Sequence, residues 1–74
     1  MQVQIKLNTK HEVYQREKQS IDILLKGKDI SYRQITGVAD WKTSIFSVKE
    51  LNNVALIKVI GEMESVTEMF FGKK

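Results

Sequence analysis

The 74-residue chain has no cysteine and no proline, and it holds one histidine and one tryptophan. Without cysteine, neither a disulfide nor a thiolate metal site braces it, as suits a reducing compartment. The lone His11 sits in the polar stretch "NTKHEVYQ", with no serine–carboxylate pair or second ligand at a telling spacing. It reads as a solvated residue near a helix start, so no metal is expected. Glu62, Glu64 and Glu68 have no glycine-rich phosphate loop beside them and read as solvated turn residues. The chain is therefore not expected to be an enzyme or to need a cofactor. Long apolar runs are missing too. The longest, around Val54 to Ile60, is interrupted by Lys58, far short of the roughly 20 residues that cross a bilayer. The opening "QVQIKLN" alternates instead of forming a leader. A cytoplasmic protein without a membrane partner is the expectation.

The length allows one domain, residues 1–74, with a modest core that gains from oligomerisation. The net charge of +3 tilts weakly toward an anionic partner. Seven of the twelve Lys/Arg residues lie at or before Arg33, against four of the nine acids. The basic surplus thus belongs to the first half, apart from a Lys73–Lys74 tail.

Local patterns divide the chain. Met1, Val3, Ile5 and Leu7 alternate with Gln2, Gln4, Lys6 and Asn8, which predicts a half-buried strand. From about Lys10 to Lys26, Val13, Tyr14, Ile21, Leu24 and Leu25 recur at helical spacing, with Glu17 on the same stripe. Gly27 suits a left-handed cap at the end. Ser31 and Gln34 have capping-box spacing, and Ile30 and Ile35 match a hydrophobic staple, which predicts a short helix from Tyr32 to about Val38. Asp40 is a second N-cap. It predicts a helix from Trp41 to about Asn52 with Trp41, Ile45, Val48 and Leu51 on one side. "VALIKVIG" and "VTEMFFG" read as two strands joined by the turn "EMES".

That order, carried by "IDILLKGKDIS", "YRQI" and "VKELNNVALIKVIG", resembles the winged helix-turn-helix DNA-binding domain over roughly Ser20 to Phe71. The resemblance implies an α+β fold of three helices with an N-terminal strand and a C-terminal β-hairpin wing. Val48, Leu51, Leu56, Ile57 and Lys58 fill its closing pattern, and Ala55 stands where glycine is usual. The segment Ile35–Asp40 is shorter than usual, and the tip "GEMES" is acidic where many wings are basic. Such a wing would not track phosphates in the common way.

The resemblance also implies double-stranded DNA as partner, read by the helix from Trp41 in the major groove. Lys42 and Lys49 would meet phosphate or guanine, Thr43 and Ser47 base edges, and Phe46 a thymine methyl. Tyr32 and Arg33 would hold backbone phosphate, and Lys26 and Lys28 would add attraction. On the helical wheel Phe46 falls opposite Trp41, Ile45 and Val48. It is either core in a rotated helix or an exposed aromatic serving a groove or a partner. The N-terminal strand would join the wing in a three-stranded sheet or pair across a two-fold with another copy. The implied roles are homodimeric repressor or autoregulator, or centromere-binding adaptor in plasmid or phage segregation. The latter would assemble side by side on DNA repeats with a segregation motor as protein partner. The alternative is a protein-interaction module without DNA binding.

Overall fold

A computed structural model describes residues 1–36 and 42–72. The chain runs β1 (Gln2–Asn8), α1 (Tyr14–Gly27), β2 (Tyr32–Thr36), β3 (Thr43–Val48), α2 (Val54–Gly61) and β4 (Val66–Gly72). The strands form one antiparallel sheet in the order β2-β3-β1-β4. This β-α-β-β-α-β succession is the ferredoxin-like, split βαβ arrangement, which hosts many unrelated functions. It is α+β, but it has two helices among the described residues where the sequence predicts three, and no wing hairpin.

The first two elements lie where periodicity puts them. Val3, Ile5 and Leu7 are buried while Gln2 and Gln4 face out. In α1 the buried residues are Tyr14, Glu17, Ile21 and Leu25. The helix ends differently from the glycine cap expected at Gly27. Ile30 N–H donates to the Leu25 carbonyl at 3.0 Å and Asp29 N–H to that of Lys26 at 3.1 Å. The left-handed residue is Asp29, φ 56°, so this is a Schellman closure with aspartate at the position glycine usually fills.

The next three elements overturn the winged-helix reading. Tyr32–Thr36 is a strand: Gln34, expected in a capping box with Ser31, instead donates to the Ser44 hydroxyl on β3 at 2.6 Å. The staple does not close, since Ile30 packs against the core and Ile35 is exposed. Thr43–Val48 is a strand and not a recognition helix. Its sequence, TSIFSV, is β-branched and aromatic, and Ser44, Phe46 and Val48 are buried in strict alternation. The helical wheel had grouped Ile45 with Val48, which the pleat sends to opposite faces. Conversely, Val54–Gly61 is a helix and not a strand. Asn53 caps it, its side-chain oxygen accepting from Leu56 N–H at 3.1 Å, and Leu56 and Ile60 turn inward four residues apart. The caps and core role expected of Asp40 and Trp41, and the Lys73–Lys74 tail, fall outside the described residues.

One core joins these elements. Val3, Ile5 and Leu7 of β1 meet Phe46 and Val48 of β3, with Tyr14, Ile21 and Leu25 of α1, Leu56 and Ile60 of α2, and Leu51. β1 does not extend a wing: it lies between β3 and β4. The helices cover one sheet face, and no described element covers the other.

Candidate functional site

The open face is built by the residues that alternate with the core. Register aligns them in two rows across all four strands. Arg33 on β2 lies opposite Ser47 on β3, Ser47 opposite Gln4 on β1, and Gln4 opposite Phe70 on β4. The neighbouring row is Ile35, Ile45, Lys6 and Glu68. At about 4.8 Å per strand spacing, each row spans about 14 Å between the outer strands.

The first row begins in a depression of about 320 Å³ lined by Gln2, Ser31, Tyr32, Arg33, Ser47 and Lys49. It brings two cations together with hydroxyls and an amide, and among the described residues no carboxylate lines it. Arg33 and Lys49 are exposed and form no ion pair with a described residue. A second depression, about 200 Å³, lies at the end of β4 and is lined by Gln2, Gln4, Phe70, Phe71 and Gly72. Gln2 stands between the two, and the pair, running from the basic edge to the aromatic one, makes up the trough of this face. There Phe70 is 47% exposed. The Lys6 ammonium lies 5.6 Å from its ring centroid and 3.5 Å from the Glu68 carboxylate, which holds this cation partly neutralised beside the ring.

Of the residues assigned to DNA contact, the structure gathers Arg33, Ser47 and Lys49, with Tyr32 at the rim. Tyr32 turns its ring toward the core, 5.8 Å from that of Phe46. Phe46 is 1% exposed and is core. Lys42 and Thr43 stand at the opposite end of β3 from Lys49. Seven positions apart across the six residues of β3, Lys42 and Lys49 are separated by about 23 Å, whereas a helix would have held them about 10 Å apart. Lys26 and Lys28 lie at the end of α1, away from the trough, and Lys26 sits 3.5 Å from Asp22.

Sequence reasoning did not assign Gln2, Gln4 or Phe70 to a site. The alternation of β1 already placed the two glutamines on its polar face, but nothing local shows which strands flank it. Elsewhere, Glu17 of α1 accepts from Glu64 N–H at 3.0 Å, from Ser65 N–H at 2.7 Å and from the Ser65 hydroxyl. This clamp holds the loop between α2 and β4. Burial pushes the Glu17 carboxyl up, but the Ser65 and Glu64 donors, with Arg16 nearby, outweigh it and leave its pKa below the ordinary value. Glu62, Glu64 and Glu68 are exposed. His11 is half-buried, its Nε2 3.8 Å from Glu64. Among the described residues no group of three His, Asp or Glu side chains is arranged to hold a metal ion, and no helix is long and apolar enough to cross a membrane. Comparison with protein-family models, curated proteins and solved structures found no match to this chain.

Proposed function

We propose that this chain binds single-stranded nucleic acid on the open face of its sheet. The observation that carries the reading is the cross-strand row Arg33–Ser47–Gln4–Phe70. Proteins that hold single strands combine cations for the phosphates with aromatic rings on which bases stack. Here Arg33 and Lys49 supply the first, Phe70 the second, and Ser47, Gln2 and Gln4 supply hydrogen bonds between them. Among the described residues no aromatic ring projects from the open face of β1 or β3, so stacking belongs to the edge strand.

A duplex suits this face less well. Four strands span about 14 Å before side chains are added, wider than the roughly 12 Å major groove. The helix expected to enter that groove is β3. Repressor and segregation roles rested on that helix, and nothing on the described surface favours one of them.

The test is titration of labelled single-stranded and duplex oligonucleotides at low salt. The expected result is binding of the single strand in preference to the duplex. Arg33→Glu with Lys49→Glu should lower that affinity at least tenfold while circular dichroism stays unchanged. Phe70→Ala should cost about 1–3 kcal/mol of affinity, the typical loss for one stacking ring. Equal affinity of the double variant and the wild type would overturn the assignment of this face.

A protein-interaction module is the second reading, favoured by a different surface. Val54 and Val59 of α2 and Ile23 of α1 are 76%, 51% and 70% exposed. An apolar depression of about 230 Å³ lies between the helices, lined by Leu24, Lys28, Asn53, Ala55, Leu56 and Val59. Absence of any nucleic-acid binding at low salt would transfer the proposal to this face.

A further inference from the structure

The second row of the open face sets a donor and an acceptor beside the aromatic ring assigned to stacking. Glu68 and Phe70 stand two residues apart on β4, on the same face, with Cα atoms about 7 Å apart. Lys6 is the register partner of Glu68 across β1 and β4, as Gln4 is of Phe70. The Lys6 ammonium therefore lies 5.6 Å from the ring centroid and 3.5 Å from the Glu68 carboxylate. The Glu68 side chain is 55% exposed and that of Lys6 29%. An exposed cross-strand ion pair at this distance adds little to stability, so the pair is available for other contacts.

We propose that Lys6 and Glu68 read the edge of the base stacked on Phe70, and that the base they select is guanine. The base preference rests on the nucleic-acid reading above. Bases splayed out on an aromatic side chain are told apart by hydrogen bonds to their Watson–Crick and Hoogsteen edges. Ionised Glu68 only accepts, through two oxygens, and Lys6 only donates. The edge that matches them has two neighbouring N–H donors followed by an acceptor. Guanine has that order on its Watson–Crick edge: the amino group, the ring N–H and the carbonyl oxygen. Adenine and cytosine each offer one amino group beside a ring-nitrogen acceptor, which leaves a carboxylate oxygen unused. Uracil and thymine set a carbonyl on either side of one N–H, so a carbonyl faces the carboxylate.

Distance and charge agree with this role. The separation of about 7 Å between Phe70 and Glu68 suits a base that overhangs the ring and adds one hydrogen bond of about 2.9 Å. A carboxylate is a poor neighbour for phosphate, so on a strand-binding face Glu68 serves a base edge and not the backbone. In the free chain Lys6 stands over the ring. A base stacking there moves the ammonium off the ring face toward the base's own carbonyl, still beside Glu68. An exposed cation–π contact is weaker than a stacked base, so the exchange runs toward stacking.

The test compares single DNA strands of about eight nucleotides, within the usual site size of about 4–16, in which thymidine alternates with one other nucleoside. Lithium chloride as the salt keeps the guanosine strand from folding on itself. The guanosine strand should bind at least about fivefold tighter than the inosine strand, which stacks alike but lacks the amino group. Deazaguanosine, altered only on the Hoogsteen edge, should match guanosine. Glu68→Gln replaces one acceptor oxygen by a donor. It should bring the guanosine and inosine strands within about twofold of each other, with the circular dichroism of the wild type. Equal binding of guanosine and inosine strands by the wild type, or a preference that survives Glu68→Gln, would overturn the base assignment. If Arg33→Glu with Lys49→Glu still weakens every strand in that case, the nucleic-acid reading stands without it. A wild type that binds none of the strands defeats both.

Discussion

Glu17 shows how one buried carboxylate organises a loop that has little core of its own. It is 9% exposed and accepts three hydrogen bonds from Glu64 and Ser65 across the chain. Burial disfavours its charge, but donors aimed at a carboxylate favour it more, and its folded pKa lies below the ordinary glutamate value. A depressed folded pKa means stability that is complete above the unfolded value, about 4.3. It is lost as pH falls from there through the folded value. Glu17→Gln leaves one acceptor oxygen and turns an amide donor toward backbone N–H groups. It should cost about 1–3 kcal/mol near neutral pH. The gap between wild type and variant in urea unfolding should narrow as the pH drops below about 4. A gap that stays constant with pH would show that the clamp is not titrating. Helical spacing in the sequence already put Glu17 on the inward stripe of α1. That its partners are Ser65 and the backbone beside it depends on a contact 48 residues away.

At the level of elements, the errors of sequence reading fall where a local signal has two valid meanings. Asn53 can close the segment "ELNN" or cap a helix starting at Val54, and only the second use is realised. "VALIKVIG" is a short, nearly continuous apolar run, for which periodicity does not separate strand from buried helix. The cap decides it, and Asn53→Ala should destabilise the protein by about 1 kcal/mol in chemical denaturation. Were the segment a strand end, the same change would be close to neutral. Ser31 and Gln34 have the spacing of a capping box, but Gln34 finds the Ser44 hydroxyl across the sheet instead. In Thr43–Val48 the alternation of Ser44, Phe46 and Val48 was present in the sequence. A helical stripe from Trp41 competes with it in the sequence, and Trp41 falls outside the described residues.

Across the whole molecule, strand order sets both stability and surface. Among the described residues β1 and β3 are paired on both sides, whereas β2 and β4 each have one neighbour. Amide exchange should therefore be slowest in β1 and β3, above all at Val3, Ile5 and Leu7, and faster along the outer strands. Protection of β4 equal to that of β1 would overturn this order. The same strand order collects Arg33, Ser47, Gln4 and Phe70 into one row, although they lie far apart in the chain. Lys42 and Lys49, near neighbours in sequence, are separated because a strand rises about 3.3 Å per residue against 1.5 Å in a helix.

Local pattern was enough to specify β1, α1 and the strand at Val66–Gly72, and the inward faces of the first two. A period of two over seven residues, or of 3.6 over fourteen, leaves each segment one way to bury its apolar side. Composition likewise settled the lack of cysteine and the weak basic excess. The state of Tyr32–Thr36, Thr43–Val48 and Val54–Gly61 was settled only by packing. These short segments carry mixed signals, and a strand is stabilised by neighbours that lie elsewhere in the chain. The trough, too, is a product of the assembled sheet, because Arg33 and Phe70 share a row only when β3 and β1 stand between them.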